Sequence, residues 1–390
     1  MTQPDRDAVA IVGGSAAGLF AARLLASHGR PVVVYEGAKS LRPAARTLIV
    51  TSRMRDLLGA PGEASIVNEI KRFELFANGH AATIELDRPD CVIERSTLIG
   101  SLAADAEAAG AELRFGHRLH DLQTNGSLLA LSFQAGRRNG AESVHANTVI
   151  GADGAFSRVA QSTGWKPQPT VPLVQATVRW PAGEPIDTAK VWFVPDDTPY
   201  FFWLIPESRD RGVLGLIGED GSEAGAALHR FLHKHALEPI EFQAARIPVY
   251  RGWAPVRRRL PGGDVYLVGD AGGHVKVTTV GGVVTGFRAA AGVVEQIVKG
   301  SSGELRSLRR ELDVHRLIRW ALHRFDQDDY VRVFQLLNPD ACGVLTRYDR
   351  DQVNRLILKL CLSQPRLLLM ACRGLLTRWT PLRRTDIPAV

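Results

Sequence analysis

Several glycines and one acidic residue near the N-terminus have the spacing that suits a nucleotide phosphate. The apolar run Val9–Val12 is followed by Gly13-Gly14-Ser15-Ala16-Ala17-Gly18. Gly13 allows a sharp turn, and Gly18 lets the following helix pack close to the strand, so that its first amides point at a pyrophosphate. Glu36 ends the next apolar run and can accept hydrogen bonds from ribose hydroxyls. A plain βαβ unit without a nucleotide is the alternative, since Ser15 replaces the usual middle glycine.

A second glycine-rich segment, late in the chain, places a carboxylate at the end of a strand. The predicted strand Val265–Val268 leads into Gly269-Asp270-Ala271-Gly272-Gly273, and a helix is predicted from about Gly282. Asp270 can bind a hydroxyl group of a polyol chain at this strand end. The start of the helix, with Gly281 and Gly282, can stabilise negative charge on a bound ring or phosphate.

A third segment lies between these two. It is another apolar strand ending in a turn, Val149-Ile150-Gly151-Ala152-Asp153-Gly154. Asp153 is expected to organise the loop, although the segment alone would be an ordinary Asp-Gly turn. In this order and at these separations, the three segments predict that the chain binds FAD.

The three segments resemble those of the flavoprotein superfamily that contains para-hydroxybenzoate hydroxylase, flavin-dependent halogenases and geranylgeranyl reductases. The resemblance covers roughly residues 7–300 and is strongest to the geranylgeranyl reductase branch. In that branch the late glycine-rich segment continues much as it does here, His274-Val275-Lys276-Val277-Thr278-Thr279-Val280-Gly281-Gly282. The aromatic run ending in proline is also similar, Tyr200-Phe201-Phe202-Trp203-Leu204-Ile205-Pro206.

The resemblance implies an α/β fold. It would comprise a glutathione-reductase-type, Rossmann-like FAD-binding domain, an interleaved β-sheet substrate domain and a helical C-terminal region. The predicted boundaries are 1–170 and 248–300 for the FAD-binding domain and 171–247 for the substrate domain, with residues 72–92 contributing to the latter. Residues 301–390 are predicted to form a helical cap.

Two departures from the superfamily patterns limit the activity. The loop at residues 41–47 has no cysteine, whereas the reductases of archaeal lipids usually carry a Cys-Gly pair there. Residues 71–90 contain one lysine, Lys71, and no halogenase motif, which disfavours halogenation. Prenyl reduction therefore remains open with one marker missing.

Aromatic residues in the middle of the chain are candidates for a substrate cavity. Strand alternation predicts Phe201 and Trp203 on one face and Tyr200 and Phe202 on the other. In the superfamily this sheet forms the floor of the substrate cavity, so we expect Phe201 and Trp203 to bind substrate. Core packing is the alternative for both.

Four further side chains have candidate roles. By resemblance, Arg46 would contact the pyrophosphate and Arg95 would lie near the flavin edge; each could equally be a solvated surface charge. Ser96 is expected to cap the helix that follows. His274, beside the glycine-rich segment, is the candidate catalytic acid or base, and holding that loop by a hydrogen bond is its alternative role.

The C-terminal region is basic and rich in leucine. Between Arg355 and Arg384 there are seven Arg or Lys and no Asp or Glu, with leucines interleaved. A helical cap over the substrate cavity is favoured, and an interfacial helix touching anionic lipid is the alternative. The net charge of +7 permits nucleic-acid binding, but no binding motif supports it.

Composition is typical of a soluble, cytoplasmic enzyme, with peripheral membrane contact left open. Hydrophobic residues make up 45% of the 390 residues, enough for a substantial core. The chain has no run of 18 apolar residues, and its polar first residues do not suggest a signal peptide. The four cysteines lack metal-binding spacing, and no metal is expected. The oligomeric state is not predicted.

The chemistry would come mostly from the flavin. We expect reduction of a carbon–carbon double bond in a hydrophobic, isoprenoid-like or other secondary-metabolite substrate. A hydroxylating monooxygenase that uses NAD(P)H and oxygen is the alternative, and a flavin-binding protein without turnover is a third. Because no second nucleotide motif is visible, the reductant would be transiently bound NAD(P)H or a reduced electron-transfer protein.

Overall fold

The computed structural model describes residues 8–41, 43–134 and 142–376. Its strands are β1 (Val9–Val12), β2 (Val32–Glu36), β3 (Thr47–Val50), β4 (Ile66–Ala77), β5 (His80–Glu94), β6 (Glu112–Phe115), β7 (Arg118–Asn125), β8 (Leu128–Gln134), β9 (Glu142–Ala146), β10 (Thr148–Gly151), β11 (Thr170–Arg179), β12 (Thr188–Trp192), β13 (Phe202–Pro206), β14 (Arg211–Ile217), β15 (Pro239–Pro248), β16 (Arg257–Leu260) and β17 (Gly263–Leu267).

The helices follow the same chain order. They are α1 (Ala16–Ser27), α2 (Arg53–Leu58), α3 (Ala60–Glu63), α4 (Arg95–Ala108), α5 (Arg158–Ser162), α6 (Gly221–Lys234), α7 (Val283–Lys299), α8 (Gly303–Leu322), α9 (Gln327–Gln335), α10 (Pro339–Arg347), α11 (Val353–Ser363) and α12 (Pro365–Leu376). A short 3-10 helix spans Gly269–Gly272.

A six-stranded sheet forms the first layer, in the order β16-β17-β10-β1-β2-β6. β1 pairs in parallel with both β2 and β10, which explains its continuous apolar sequence, because both of its faces are buried. α1, α4 and α7 pack on one face, and the three-stranded sheet β7-β8-β9 packs on the other. The Rossmann-like fold expected from the glycine turn is confirmed.

The second layer is an eight-stranded sheet in the order β15-β11-β14-β13-β12-β4-β5-β3. It includes residues as early as Thr47, so the N-terminal contribution is wider than the predicted 72–92. The long β4–β5 hairpin turns at Asn78 and Gly79, which have φ values of 46° and 77°. Positive φ at both positions is typical of the tight turns that suit paired antiparallel strands.

The sheet's two faces have different partners. α6 covers one face and buries Phe202 completely. The opposite face of the eight-stranded sheet lies across a cavity from the carboxyl ends of the parallel strands of the first sheet. Helices α8 to α11 close the remaining sides, with α8 packed on α7 and α10 packed on β5. The space left between the two sheets and the helices is the candidate site.

Candidate active site

A cavity of about 700 Å³ lies between the two sheets. It is lined by the first glycine turn, the late glycine-rich segment, the inner face of the eight-stranded sheet and the C-terminal helices. All three FAD-type segments contribute residues to the same wall, including Ser15, Ala16, Ala17, Gly154 and Gly269. Segments that are far apart in sequence thus form one continuous surface.

The first glycine turn is closed against the β10 loop at distances that exclude side chains. A Cβ on Gly13, which has φ of 104°, would lie 2.6 Å from the carbonyl oxygen of Ala152. A Cβ on Gly18 would lie 2.4 Å from the carbonyl oxygen of Gly13. The Ser15 hydroxyl caps α1 by accepting from the Gly18 amide at 3.3 Å. The start of α1 therefore opens onto the cavity and suits a pyrophosphate.

Glu36 lies at the back of this turn. Its carboxylate accepts hydrogen bonds from the backbone amides of Gly14 and Ala38, each at 2.7 Å. Glu36 thereby fixes the turn and is not among the residues that line the cavity. Contact between Glu36 and a ribose stays a prediction.

Asp153 organises its loop in the way the sequence suggests. Burial raises the pKa of its carboxyl, which accepts from the Ser157 hydroxyl at 2.5 Å and from the amides of Arg158 and Val159 at 2.7 and 3.1 Å. Ala152 and Gly154 face the cavity instead. Asp153 therefore holds this loop in place, and contact between Asp153 and a cofactor stays a prediction.

Three charged side chains surround the part of the cavity next to the late glycine-rich segment. Asp270, Arg46 and Arg95 all line it. Burial raises the pKa of Asp270, and the nearby Arg95 opposes that shift. Burial, with a smaller effect of Arg95, lowers the pKa of Arg46, whose guanidinium donates to the Ala244 carbonyl at 3.2 Å. The cation pair suits an anionic or electron-rich group.

The predicted cap at Ser96 is wrong by two residues. Glu94 is the N-cap of α4, and its carboxylate accepts from the amides of Ser96 and Thr97. Burial would raise the pKa of Glu94, but hydrogen bonds from Ser96 and Thr97 lower it to about 2. A carboxylate makes stronger hydrogen bonds to these amides than a hydroxyl does, so Ser96 became a donor to the cap. Arg95, the first residue of α4, is fixed by this arrangement.

The late glycine-rich segment lines the cavity through Gly269, Asp270, Gly281 and Gly282. Gly282 is the N-cap residue of α7, so the first amides of that helix open towards the cavity. Val280 has φ of 48°, a left-handed conformation that is unusual for a β-branched residue.

The structure places His274 outside this cavity lining. Its side chain is buried, and burial lowers its pKa to about 4, so the imidazole is neutral near pH 7. The ring lies against Gly272, where an added Cβ would come within 2.4 Å of it. His274 therefore fills space behind the loop, and Gly272 makes room for that ring and does not itself line the cavity. We assign no proton transfer to His274.

The inner face of the eight-stranded sheet presents an aromatic wall. Phe201 and Trp203 both line the cavity, with ring centroids 6.1 Å apart. The Trp203 indole lies over its cross-strand neighbour Gly215, where a Cβ would clash at 2.4 Å. Phe202 points the other way and stacks on Phe231 at 4.4 Å.

The prediction for Tyr200 is wrong. Tyr200 precedes β13 and packs with Phe201 and Trp203, on the side opposite Phe202. The alternation rule fails there because residue 200 lies outside the strand, where successive side chains no longer point to opposite faces.

Two ion pairs at the cavity edge were not predicted from the sequence. Lys276 lies 2.5 Å from Asp351, and Arg350 lies 2.5 Å from Asp90. Thr51 donates a hydrogen bond to Asp351 as well. These pairs join β5 and the late glycine-rich segment to the C-terminal helices. Their members are separated by 75 residues or more, and no local spacing signals such a contact.

The residues present fit FAD. The start of α1 can hold the pyrophosphate, while Asp270 and the start of α7 lie where a flavin chain and ring would continue into the cavity. Ser15, Ala16 and Ala17 at the start of α1, and Gly281 and Gly282 at the start of α7, line the same cavity. In the described ranges 8–41, 43–134 and 142–376, no group of His, Cys, Asp and Glu side chains could hold a metal ion.

Comparisons with known proteins support binding of FAD by this chain. The family described as "FAD binding domain" matches residues 6–305. Digeranylgeranylglycerophospholipid reductase 2 of Methanopyrus kandleri is 27% identical over 379 residues, covering 90% of this chain and 92% of that protein. A geranylgeranyl bacteriochlorophyll reductase-like structure from Thermoplasma acidophilum has the same fold, with a TM-score of 0.78, 19% identity and coverage of 94% and 98%.

The fold also extends to monooxygenases. The p-nitrophenol 4-monooxygenase of Pseudomonas putida matches with a TM-score of 0.62 at 18% identity, covering 94% of this chain and 96% of that one. The match to the family model spans more than half of the chain, and the similar proteins include named reductases. The chain belongs to the FAD binding domain family and is an FAD-dependent oxidoreductase that is similar to named geranylgeranyl reductases.

Proposed function

We propose that this enzyme uses FAD to reduce carbon–carbon double bonds in a hydrophobic, isoprenoid-like molecule. The observation that carries the proposal is the continuity of the cavity. The wall that suits FAD and the aromatic wall of Phe201 and Trp203 enclose the same space. A long apolar chain lying along the aromatic wall would reach the flavin side without leaving protein.

The residues of the site would bind and orient both molecules. The first amides of α1 would hold the pyrophosphate, and those of α7, with Arg95 nearby, would favour negative charge on the ring. When bound, FAD supplies the hydride chemistry. Phe201 and Trp203 would hold the substrate chain and exclude water. NAD(P)H or a reduced electron-transfer protein would serve as the reductant.

The similar proteins support reduction over the alternative. The Methanopyrus kandleri relative is named a reductase of a geranylgeranyl lipid and matches along nearly its whole length. The nitrophenol monooxygenase is alike in fold, which keeps hydroxylation as the second candidate. A flavin-binding protein without turnover is the third.

Anaerobic turnover separates these candidates. The FAD-loaded enzyme, reduced with dithionite, would be incubated separately with geranylgeraniol, geranylgeranyl phosphate and a geranylgeranyl lipid. The products would be identified by mass spectrometry. Hydrogen added to the substrate without oxygen supports the reductase. In a parallel aerobic reaction with NAD(P)H in place of dithionite, oxygen-dependent insertion of a hydroxyl group with consumption of NAD(P)H would establish the monooxygenase. Flavin binding with neither product would leave the third candidate.

The aromatic wall can be tested with two neighbouring residues on opposite faces of β13. Trp203→Ala should weaken substrate binding by about tenfold or more while FAD stays bound, since burial of a large apolar group contributes roughly 1.5–3 kcal/mol. Phe202→Ala is the control, because it empties the core under α6 and should cost about 3–5 kcal/mol of unfolding free energy. If Trp203→Ala only lowers stability and leaves substrate affinity unchanged, Trp203 does not bind substrate.

Peripheral membrane contact is a further part of the proposal. Leu358, Leu362, Leu368 and Leu369, on α11 and α12, are 47–69% exposed, and basic residues lie between them in sequence. In residues 8–41, 43–134 and 142–376, no helix combines the length and hydropathy needed to span a bilayer. Part of the basic run, from residue 377 on, lies outside the described residues. An exposed apolar and basic surface suits attachment to anionic lipid.

Vesicle flotation would test that attachment. The protein should float with phosphatidylglycerol vesicles and much less with phosphatidylcholine. Leu362→Asp combined with Leu369→Asp should abolish flotation, whereas Leu317→Asp, an exposed leucine on α8, should not. Equal flotation of all three proteins would contradict the assignment.

A further inference from the structure

Three cationic side chains are buried in the described residues: Lys276, Arg288 and Arg319. Lys276 lies 2.5 Å from Asp351, and Arg288 lies 2.5 Å from both Glu304 and Glu311. Arg319 is 7% exposed, yet no described carboxylate lies within 4.0 Å of it. Buried charges are normally paired, so this difference between Arg319 and the other two requires a cause.

The contacts of Arg319 are with neutral groups. Its Nη2 donates to the carbonyl of Pro199 at 2.5 Å, and its guanidinium lies 4.7 Å from the ring centroid of Tyr200. Tyr330 is a second neighbour, and Nε is buried without a hydrogen-bond partner. Burial lowers the pKa of Arg319, and the carboxylate of Glu219, which lies 3.4 Å from His323, acts on that guanidinium only from beyond 4.0 Å. The positive charge thus has no described carboxylate in direct contact.

Arg319 lies in the lining of the cavity, where the aromatic wall meets the C-terminal helices. Phe193 connects the two, since its ring stacks on Tyr330 at 4.4 Å and lies 6.1 Å from Phe201. Further residues that line the cavity are apolar as well, namely Leu75, Val191 and Leu322. A molecule that lies along the wall would therefore bring one end close to Arg319.

We infer that Arg319 binds an oxyanion group, a carboxylate or a phosphate, on an otherwise apolar substrate. The inference rests on the proposed function for the site itself and adds which end of the substrate is recognised. A guanidinium suits this task because its donors lie in a planar fork that can take two oxygens at once. Nη2 of Arg319 donates one hydrogen bond to the Pro199 carbonyl, and the other N–H groups of the guanidinium remain as donors for the ligand. The oxyanion would supply the missing counter-charge.

Equilibrium binding to the FAD-loaded enzyme tests the inference. Three probes share one hydrocarbon chain: geranylgeranyl phosphate, geranylgeranoic acid and neutral geranylgeraniol. Their dissociation constants can be measured from the change in flavin absorbance. At least one anion should bind about 10- to 100-fold more tightly than the alcohol, as for a hydrogen bond to a charged group. Whichever anion binds more tightly identifies the source of the oxyanion.

Variants then assign the preference to Arg319. Arg319→Gln should bind all three probes about equally, with the affinity for geranylgeraniol unchanged. Arg324→Gln is the matched control, because Arg324 follows the same helix, is only half-buried, lies over the Trp320 ring and does not line the cavity. If Arg319→Gln fails to fold, Arg319→Lys keeps the charge and should retain part of the preference, because the fork is lost.

Two results would overturn the inference. One is equal affinity of the wild-type enzyme for anions and alcohol, and the other is an unchanged preference in folded Arg319→Gln. Failure of the proposed function has a different signature. If the anions bind with the expected preference but no double bond is reduced, the oxyanion site stands and the reductase assignment falls.

Discussion

The two walls of the cavity are built by different means. Behind the wall that suits FAD, the backbone is packed so closely that a Cβ on Gly13 or Gly18 would meet main-chain atoms. The opposite wall includes large side chains, with Phe201, Trp203 and Arg319 contributed by a sheet and a helix. Close backbone packing tolerates little change, and under the proposed function this wall would hold the cofactor. The opposite wall can be altered residue by residue, and under the same proposal it would select the substrate.

The largest expected effect comes from the ion pair that joins the wall that suits FAD to the segment between α10 and α11. Asp351 is fully buried against Lys276, and Asp351→Ala would leave that ammonium without a partner. We expect a loss of about 3–5 kcal/mol in unfolding free energy, measured by chemical denaturation of the FAD-loaded protein. Asp87→Ala, at an exposed position on β5, is the control and should change stability little.

Replacing both partners distinguishes the effect of losing the ion pair from the effect of losing side-chain packing. Lys276→Met combined with Asp351→Leu should recover most of the stability, because apolar residues of similar size can replace a buried pair. If the single and double variants are equally unstable, the packing of the C-terminal helices and not the charge is responsible.

An intermediate effect should appear as a pH dependence of stability. The folded-state pKa of His274 is about 4, below the ordinary 6.5, so only the unfolded chain takes up this proton between those values. Stability contributed by neutral His274 is present above pH 6.5 and is lost as the pH falls towards 4, by a total on the order of 3 kcal/mol. His315, whose pKa burial lowers to about 3, should add to the loss.

His274→Leu should flatten this dependence, as seen in denaturation midpoints measured from pH 7 to pH 4. His233→Leu, which removes an exposed histidine of α6, should leave the curve unchanged. A wild-type slope that survives in His274→Leu would show that other groups cause the acid sensitivity.

The smallest of the three effects tests the close backbone packing behind the wall that suits FAD with one methyl group. Gly18→Ala should destabilise the protein by about 1–3 kcal/mol and lower FAD occupancy, because the new Cβ would lie 2.4 Å from the Gly13 carbonyl oxygen and 2.9 Å from the Ala152 side chain. Gly100→Ala makes the same change within α4, where nothing lies within 4 Å, and should stabilise by about 0.5–1 kcal/mol. Effects of the same sign at both positions would contradict the close approach.

Sequence alone determined the cofactor wall. Gly13 and Gly18 require special backbone geometry whatever surrounds them, and buried parallel strands such as β1 are continuous apolar runs. These are local requirements of the chain. The FAD-type fold, and the placement of Asp270, Gly281 and Gly282 beside the cavity, could therefore be predicted from short segments. The period of two also correctly separated Phe201 and Trp203 from Phe202, since all three lie in or next to one strand.

Tertiary structure decided the rest of the site. The strands between residues 47 and 94 are part of the second sheet. The Asn78–Gly79 turn between β4 and β5 is nevertheless a local feature, of the kind that signals a hairpin in a sequence. His274 lies outside the cavity lining, and Lys276 forms an ion pair with Asp351. Arg319 lies beside the aromatic wall with no described carboxylate in contact. Each outcome depends on which distant segments come together when the sheets and helices pack. No spacing within a short segment can specify whether a buried charge finds its counter-charge, because that partner is supplied by another part of the fold or by the substrate.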